Sequence, residues 1–444
     1  MKLFQLFLIL IIFQSCSFDN KSGIWKSENS ISFKEKEKFS DFKTLSNITQ
    51  TFNKTVLIDK NFNFKKIERE SNSIWTDIFF NDENNTPNFE FNSLDQLNQK
   101  TKKLSKNKLS NYLLSDSDYI ISSDEKGDII IFSKEENRIV TKFNFYKKKY
   151  RKFKKDLNLI VENEIIFVSD NLGYLYAYNF LDNKVLWAQN YKIPFRSNLK
   201  ISGFKLIGAN QNNSLYFFNK LTGEILQIIP TEETLIKNNF KNNLALQDKS
   251  LFFLNSYGSL YAFDVETNRV NWFINLNRSI NLNPSNLFLS NQITVNKEKI
   301  IVPTNDYIYV VDKNNGSIDF KKNFKTNIKP LVVDDYIFVV TNNNLLVAWS
   351  LKNGKIIYSY NINEKIKNYL KLKKNKSKKL NYKNLLFLND KIFIFLENSY
   401  ILIFNIKGNL DAIDKLPTKI KSSPIIIEKS LLYLDKKNRL SIIN

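Results

Sequence analysis

The chain has no histidine in 444 residues, and only one cysteine, one methionine, eight prolines and ten glycines. Without histidine there is no serine–histidine–aspartate triad, no imidazole-assisted proton transfer and no imidazole ligand for a metal. The glycines are isolated. The closest pair, Gly203 and Gly208 in G-F-K-L-I-G, is followed by Ala-Asn and not by Lys-Ser or Lys-Thr, which excludes a phosphate-cradling loop. Carboxylates such as Asp264 and Asp312 recur at the end of equivalent segments, a placement that suits turn hydrogen bonding better than acid–base work. The residue types therefore point away from catalysis. Long apolar runs are also missing, apart from Leu3 to Phe13 in M-K-L-F-Q-L-F-L-I-L-I-I-F-Q-S. That run is too short for a bilayer core, which takes about 20 residues, and it reads as an export signal over residues 1–15.

What is present is a repeat. The stretch S-L-Y-A-F-D-V-E-T-N-R-V-N-W, beginning at Ser259, recurs along the chain with small changes. Aligned on Leu260, its equivalents are Ile129, Leu175, Leu215, Ile308, Leu346, Ile401 and Leu440. The spacing of 38 to 55 residues is that of a four-stranded propeller blade. Within each unit, short runs of Ile, Tyr, Phe and Val alternate with Asn, Asp, Gly and Ser, which is hairpin chemistry and not helical periodicity. Asn137, Asn183, Gly223, Asn268, Gly316 and Gly354 occupy one equivalent turn position, where a positive φ is predicted. The expected fold is all-β, an eight-bladed propeller of four-stranded blades over residues 72–444.

A ring of blades must close, because an open end leaves a strand edge unpaired. The last unit ends at R-L-S-I-I-N and lacks the strand that carries tryptophan elsewhere (Trp187, Trp272). An N-terminal strand must supply it, and S-N-S-I-W-T-D-I with Trp75 is the candidate. Residues 16–71, rich in mixed Lys and Glu, read as a tether and irregular arm.

Cys16 lies in F-Q-S-C, which resembles a bacterial lipobox and marks it as the lipid attachment site. Ser17 follows it, and the absence of aspartate there favours the periplasmic face of the outer membrane. The net charge of +22 is spread along a Lys-rich chain, and two basic clusters stand out from that background, K-K-K-Y-R-K-F-K-K (Lys147, Lys148, Lys149, Arg151) and an insertion containing Lys373, Lys374, Lys378 and Lys379. Both fall between the last strand of one blade and the first of the next. Such connections share one face, so the clusters form a basic rim suited to anionic headgroups or an acidic partner. No nucleic-acid motif is present and no nucleic-acid partner is expected.

The unit Y-G-S-L-Y-A-F-D-V-E-T-N-R-V-N-W resembles the repeat of pyrroloquinoline-quinone (PQQ) type propellers. Eight such units behind a lipoprotein signal resemble the BamB family of the outer-membrane β-barrel assembly machinery. That resemblance implies a non-enzymatic scaffold without cofactor or metal, docking a BamA-like barrel-forming subunit and assisting unfolded outer-membrane proteins. The segment Y-K-I-P-F-R-S resembles the family's contact motif and maps it onto Ile193, Phe195 and Arg196. The family's companion acidic contacts are not found in the neighbouring L-I-K-N-N-F-K-N-N. The other branch of the superfamily, the quinoprotein dehydrogenases, holds PQQ and calcium in the central channel and usually carries a vicinal cysteine pair. One cysteine cannot form that pair, and the quinoprotein enzyme stands as the alternative reading.

If Cys16 is the acylated first residue of the mature protein, mass spectrometry of the N-terminal peptide will show a lipid-modified cysteine and no peptide from residues 1–15. An unmodified Cys16 with Met1 retained refutes both export and anchoring.

Overall fold

The computed structural model describes residues 51–444 except 95–96, 151, 234–242, 278–287, 289, 305 and 372–379, together with two short strands before them. Those two, Cys16–Phe18 and Trp25–Ser27, pair antiparallel within a first unit of the chain, Met1–Thr49. The second unit, Gln50–Asn444, holds eight sheets each built on four antiparallel strands, the blades of a β-propeller, one of which gains a short fifth strand. In blade 1 the strands run Leu114–Asp116, Tyr119–Ser123, Asp128–Ser133 and Arg138–Asn144 from the channel outward. Blades 2 to 7 follow at 157–190, 200–229, 243–275, 294–322, 331–361 and 382–415. Blade 8 takes its first three strands from 425–443 and its outermost from Leu97–Lys100, which pairs with Leu440–Ile443.

The ring is thus closed by an N-terminal strand, but not by the one expected. Trp75 forms only an isolated bridge with Ser115 on the innermost strand of blade 1, inside the channel. The closing strand, L-N-Q-K, carries no tryptophan, which is why it was not legible as a blade strand.

The reason lies in how blades dock on each other. In blades 1 to 7 the pairing of the two outer strands is interrupted by a bulge at the equivalent place, between Ala177 and Tyr178 in blade 2 and between Ala262 and Phe263 in blade 4. Beside the bulge in blades 2 and 4 sits a tryptophan opposite an alanine, Trp187 opposite Ala177 and Trp272 opposite Ala262. Its ring covers the outer turn of the next blade. The Trp187 Nε1 donates to the Lys220 carbonyl at 2.8 Å, and the Trp272 Nε1 to that of Lys313 at 2.9 Å. Gly316, at φ 74°, lies directly under the Trp272 ring, where a Cβ would stand 2.4 Å from Cε3. Phe320 over Gly354 and Tyr358 over Gly408 repeat the arrangement.

At two of the three asparagine turns, Asn268 and Asn137, the docking residue is glutamine. The Asn268 amide donates to Gln227 at 2.7 Å, and Gln99 of the closing strand donates to Asn137. All six turn positions read from the sequence do adopt positive φ, between 51° and 76°. Asparagine tolerates that conformation and adds a side-chain amide that a polar neighbour can use.

The second turn of most blades, between its two middle strands, is organised by an Asx side chain. Asp124, Asp170, Asn210, Asn255 and Asp435 each accept from the backbone N–H groups two and four residues on. Recurrent carboxylates therefore act in turns.

Gly316→Ala should destabilise the ring more than Gly203→Ala. Both residues have positive φ, but a Cβ at Gly203 meets nothing within 4 Å. Backbone strain alone costs on the order of 1 kcal/mol, and displacing the tryptophan should raise the total to about 2–3 kcal/mol. Urea unfolding of the two variants makes the comparison, and equal losses would mean that the ring contact contributes nothing.

Candidate functional site

The central channel is occupied by the chain itself. Residues 72–92 pass once round the inner wall and meet every blade in order. Asn72 bonds to Ile426 and Glu428 of blade 8, Trp75 to Ser115 of blade 1, and Thr76 to Val161 of blade 2. Asp77 and Asn81 meet Lys200 of blade 3. Next, Asp82 accepts from Leu246 of blade 4 and Glu83 from Val295 of blade 5. The Asn84 carbonyl then accepts from Lys329, in the connection to blade 6. Asn88 and Phe89 add a parallel strand to the inner edge of blade 7, and Asn92 returns to Lys429 of blade 8.

The anchor of this circuit is Lys200. Its side chain is fully buried and donates to three acceptors: Asp77 Oδ2 at 2.7 Å, the Asn81 carbonyl at 2.7 Å and Asn84 Oδ1 at 2.8 Å. Three donors meet three acceptors, so no N–H of the ammonium is left unpaired. The Asn84 amide in turn donates to the Leu244 and Ile293 carbonyls, tying blades 3, 4 and 5 to one turn of the inserted chain. Burial pushes the Asp77 carboxyl above its usual value, with Lys200 opposing the shift. Burial, reinforced by the neighbouring Lys200, lowers the Lys329 amine to about 7.

The cavity left beside Trp75, Ile78 and Lys329 measures about 70 Å³. Small-molecule sites usually run from about 300 Å³ upward. This cavity is smaller than a multi-ring cofactor needs.

Outside the channel, the segment holding Ile193, Phe195 and Arg196 connects blades 2 and 3. Ile193 and Arg196 are half-buried. Phe195 differs from the expected surface contact: it is 2% exposed and packs with Tyr191, Tyr216 and Phe218. Its ring pins the loop, leaving Ile193 and Arg196 as the groups that face outward. The Arg196 guanidinium makes no side-chain hydrogen bond or ion pair among the described residues. The neighbouring stretch that lacks carboxylates falls outside the described residues up to 242. Glu232, just before it, is held by Asn255, Ser259 and Tyr261 at 2.6–2.8 Å.

In the basic rim, Lys147 and Lys148 are exposed on the connection between blades 1 and 2, and Lys149 belongs to the short 3-10 turn Lys148–Tyr150. Arg151, Lys373, Lys374, Lys378 and Lys379 lie outside the described residues. The insertion that holds those last four lysines begins with the helix Ile362–Tyr369, capped by Asn361. Sequence reading missed Lys200, Asp77 and Asn84 altogether. The available signal was a lysine opening an inner strand, K-I-S, directly after the apolar Leu199, a position where an unpaired charge has no place.

The family described as outer membrane protein assembly factor BamB matches residues 103–360. No curated protein matches the sequence. Among solved structures, BamB from Moraxella catarrhalis is similar at 13% identity and a TM-score of 0.60, over 77% of this chain and 98% of that one. A computationally designed protein, Ika8, is similar at 10% identity and a TM-score of 0.57, over 78% of this chain and 98% of that one. Quinohemoprotein alcohol dehydrogenase from Comamonas testosteroni is similar at 9% identity and a TM-score of 0.56, over 83% and 80%. At these identities the structural likeness speaks for the fold.

Replacing Lys200 by Met should cost about 3–5 kcal/mol at pH 7, because it strands a buried carboxylate. The double variant Asp77→Leu, Lys200→Met should cost less than Lys200→Met alone. Asp77 titrates higher folded than unfolded, so its contribution favours the folded state at low pH and is lost as pH rises through the folded value. The defect of Lys200→Met should therefore shrink between pH 7 and pH 5. Urea unfolding at both pH values tests this, and a defect independent of pH would contradict it.

Proposed function

The chain belongs to the family of outer membrane protein assembly factor BamB, and on that premise we propose that it is a non-enzymatic scaffold, lipid-anchored through Cys16 at the periplasmic face of the outer membrane. In this reading it docks a BamA-like barrel-forming subunit through the connection that carries Ile193 and Arg196. It assists unfolded outer-membrane proteins. The observation that carries the reading is the channel filled by residues 72–92. A propeller that occupies its own centre has only its faces and outer walls left to offer, which suits protein contacts and not a channel cofactor. The fold likeness to a quinohemoprotein dehydrogenase keeps a quinoprotein enzyme as the competing reading. The residual cavity of about 70 Å³ weighs against it.

At the docking connection, Arg196 combines a free guanidinium with the apolar Ile193 beside it, on a backbone held by the buried Phe195 ring. The Arg196 N–H donates to the Ala209 carbonyl at 3.0 Å and the Phe195 N–H to the Asp170 carbonyl at 2.9 Å. A pinned arginine of this kind can make a bidentate ion pair at low entropic cost, the profile of an interface hot spot.

Arg196→Glu should weaken docking to the barrel-forming subunit by about 2 kcal/mol or more, roughly thirtyfold. Replacing Lys373, Lys374, Lys378 and Lys379 by glutamate should mainly slow association and weaken or reverse its salt dependence. Pull-down at moderate salt discriminates the two. Loss of the partner with the lysine variant and normal binding by Arg196→Glu would move the docking surface to the basic rim. Calorimetry with PQQ and calcium tests the competing enzyme, which tight stoichiometric binding would support.

A further inference from the structure

The connections between blades and the turns between their middle strands form one face, because they bond to each other all round the ring. Glu125 donates to Lys108, Lys155 to Glu125, Gln211 to Pro194 and Lys436 to Lys419, each backbone to backbone. On the opposite face, charges of both signs interleave and pair. Lys220 meets Glu162 at 2.6 Å, Lys299 meets Asp312 at 3.0 Å and Lys352 meets Asp335 at 3.1 Å.

The first face is different over blades 8 and 1. There the connections 101–113, 145–156 and 416–424 and the turn of blade 8 at 435–439 lie against one another. The Asn438 amide donates to the Ser105 and Asn107 carbonyls, and the Ser423 N–H to that of Asn111. This contiguous sector exposes Lys102, Lys106, Lys147, Lys148, Lys152 and Lys436, none of which makes an ion pair among the described residues. Opposite charge within it is confined to Asp435, paired with Arg439 at 2.6 Å, and the exposed Asp156, and at its edge Lys154 lies 4.0 Å from Glu125. At its tip, between Lys152 and Lys154, Phe153 is 56% exposed.

We infer that this lysine sector is a docking surface for an anionic phospholipid membrane, with the lysines meeting headgroup phosphates and the Phe153 ring entering the interface. Three features favour a lipid surface over an acidic protein. The charge is spread over several connections and not focused at one point. It is carried by flexible lysines, which act as point charges and do not make the bidentate contacts that a defined carboxylate partner selects. An exposed phenylalanine among lysines has the apolar-plus-basic character of interfacial segments. Within the sector, burial, with a smaller contribution from the nearby Lys108, lowers the Lys421 amine to about 8.

This surface is separate from the partner contact at Arg196, and the two can fail independently. The test uses the full chain carrying Cys16→Ala, so that no acyl chain contributes, in co-sedimentation with phosphatidylcholine vesicles and with vesicles containing 30% phosphatidylglycerol. Partition should be at least tenfold higher on the anionic vesicles at low salt and fall steeply at 500 mM salt. Replacing Lys102, Lys147, Lys148 and Lys152 together by glutamine should reduce it about tenfold or more, and Phe153→Ser several-fold. Arg196→Glu should leave it within twofold. Circular dichroism and thermal unfolding confirm that the variants remain folded. Equal partition onto both vesicle types overturns the inference, as does unchanged binding by the four-lysine variant. Capture of poly-glutamate by a chain that ignores anionic vesicles would assign the sector to an acidic protein instead.

Discussion

The buried ion pair between Lys200 and Asp77 is the point on which the architecture turns. A ring of eight blades leaves a channel whose wall is made of inner strands, each with a backbone edge that water or chain must satisfy. Here chain satisfies it. Residues 72–92 run one full circuit of that wall, and the fully buried Lys200 ammonium sets their register, because its three donors need Asp77, Asn81 and Asn84 together. A slip of one residue would leave a charge unpaired in the interior, an error far more costly than any loss of apolar contact. The pair therefore contributes specificity: it states which residues of the inserted chain meet blade 3, and the other seven blades follow from chain length.

Closure depends on the same circuit. After its turn through the channel the chain emerges beside blade 8 and delivers Leu97–Lys100 as that blade's outer strand before entering blade 1. One continuous segment fills the centre and seals the rim. The segment just before it is also engaged. The aromatic residues Phe62 and Phe64 pack on Tyr336 at 6.5 and 4.9 Å, and Val56 bridges to Ser359 on the outer strand of blade 6. The channel is occupied by this segment, and on the two faces the charges separate. One face pairs its lysines with carboxylates. The other leaves a sector of them free beside the pinned connection of Ile193 and Arg196. The propeller thus has two faces of unlike charge.

The repeat itself was legible in the sequence because each blade solves the same local problem. Strand length, the Asx residue at the middle turn and the Gly or Asn at the outer turn obey backbone sterics that act over four or five residues. They appear wherever the blade does. The number of blades, the turn positions with positive φ and the need for an N-terminal closing strand all follow from that local chemistry. Phe195 shows the limit of motif transfer. Its neighbours Pro194 and Arg196 are half-buried, and only the packing of Tyr216 and Phe218 from the next blade decides that its ring turns inward.

The sequence by itself determined the all-β repeat, its eightfold count and the hairpin turns, since these are set by neighbours a few residues apart. Tertiary structure alone decided which strand closes the ring, what fills the channel and where unpaired charge collects. Trp75 bears the residue that marks a docking strand, yet it lies in the channel. Gln99 bears no such mark, yet it docks, because Asn137 more than thirty residues later offers it an amide partner. Lys200 finds its acceptors 116 to 123 residues away. Pairings across such distances are chosen by the burial of charge and the geometry of the closed ring, and neither exists until the blades have assembled.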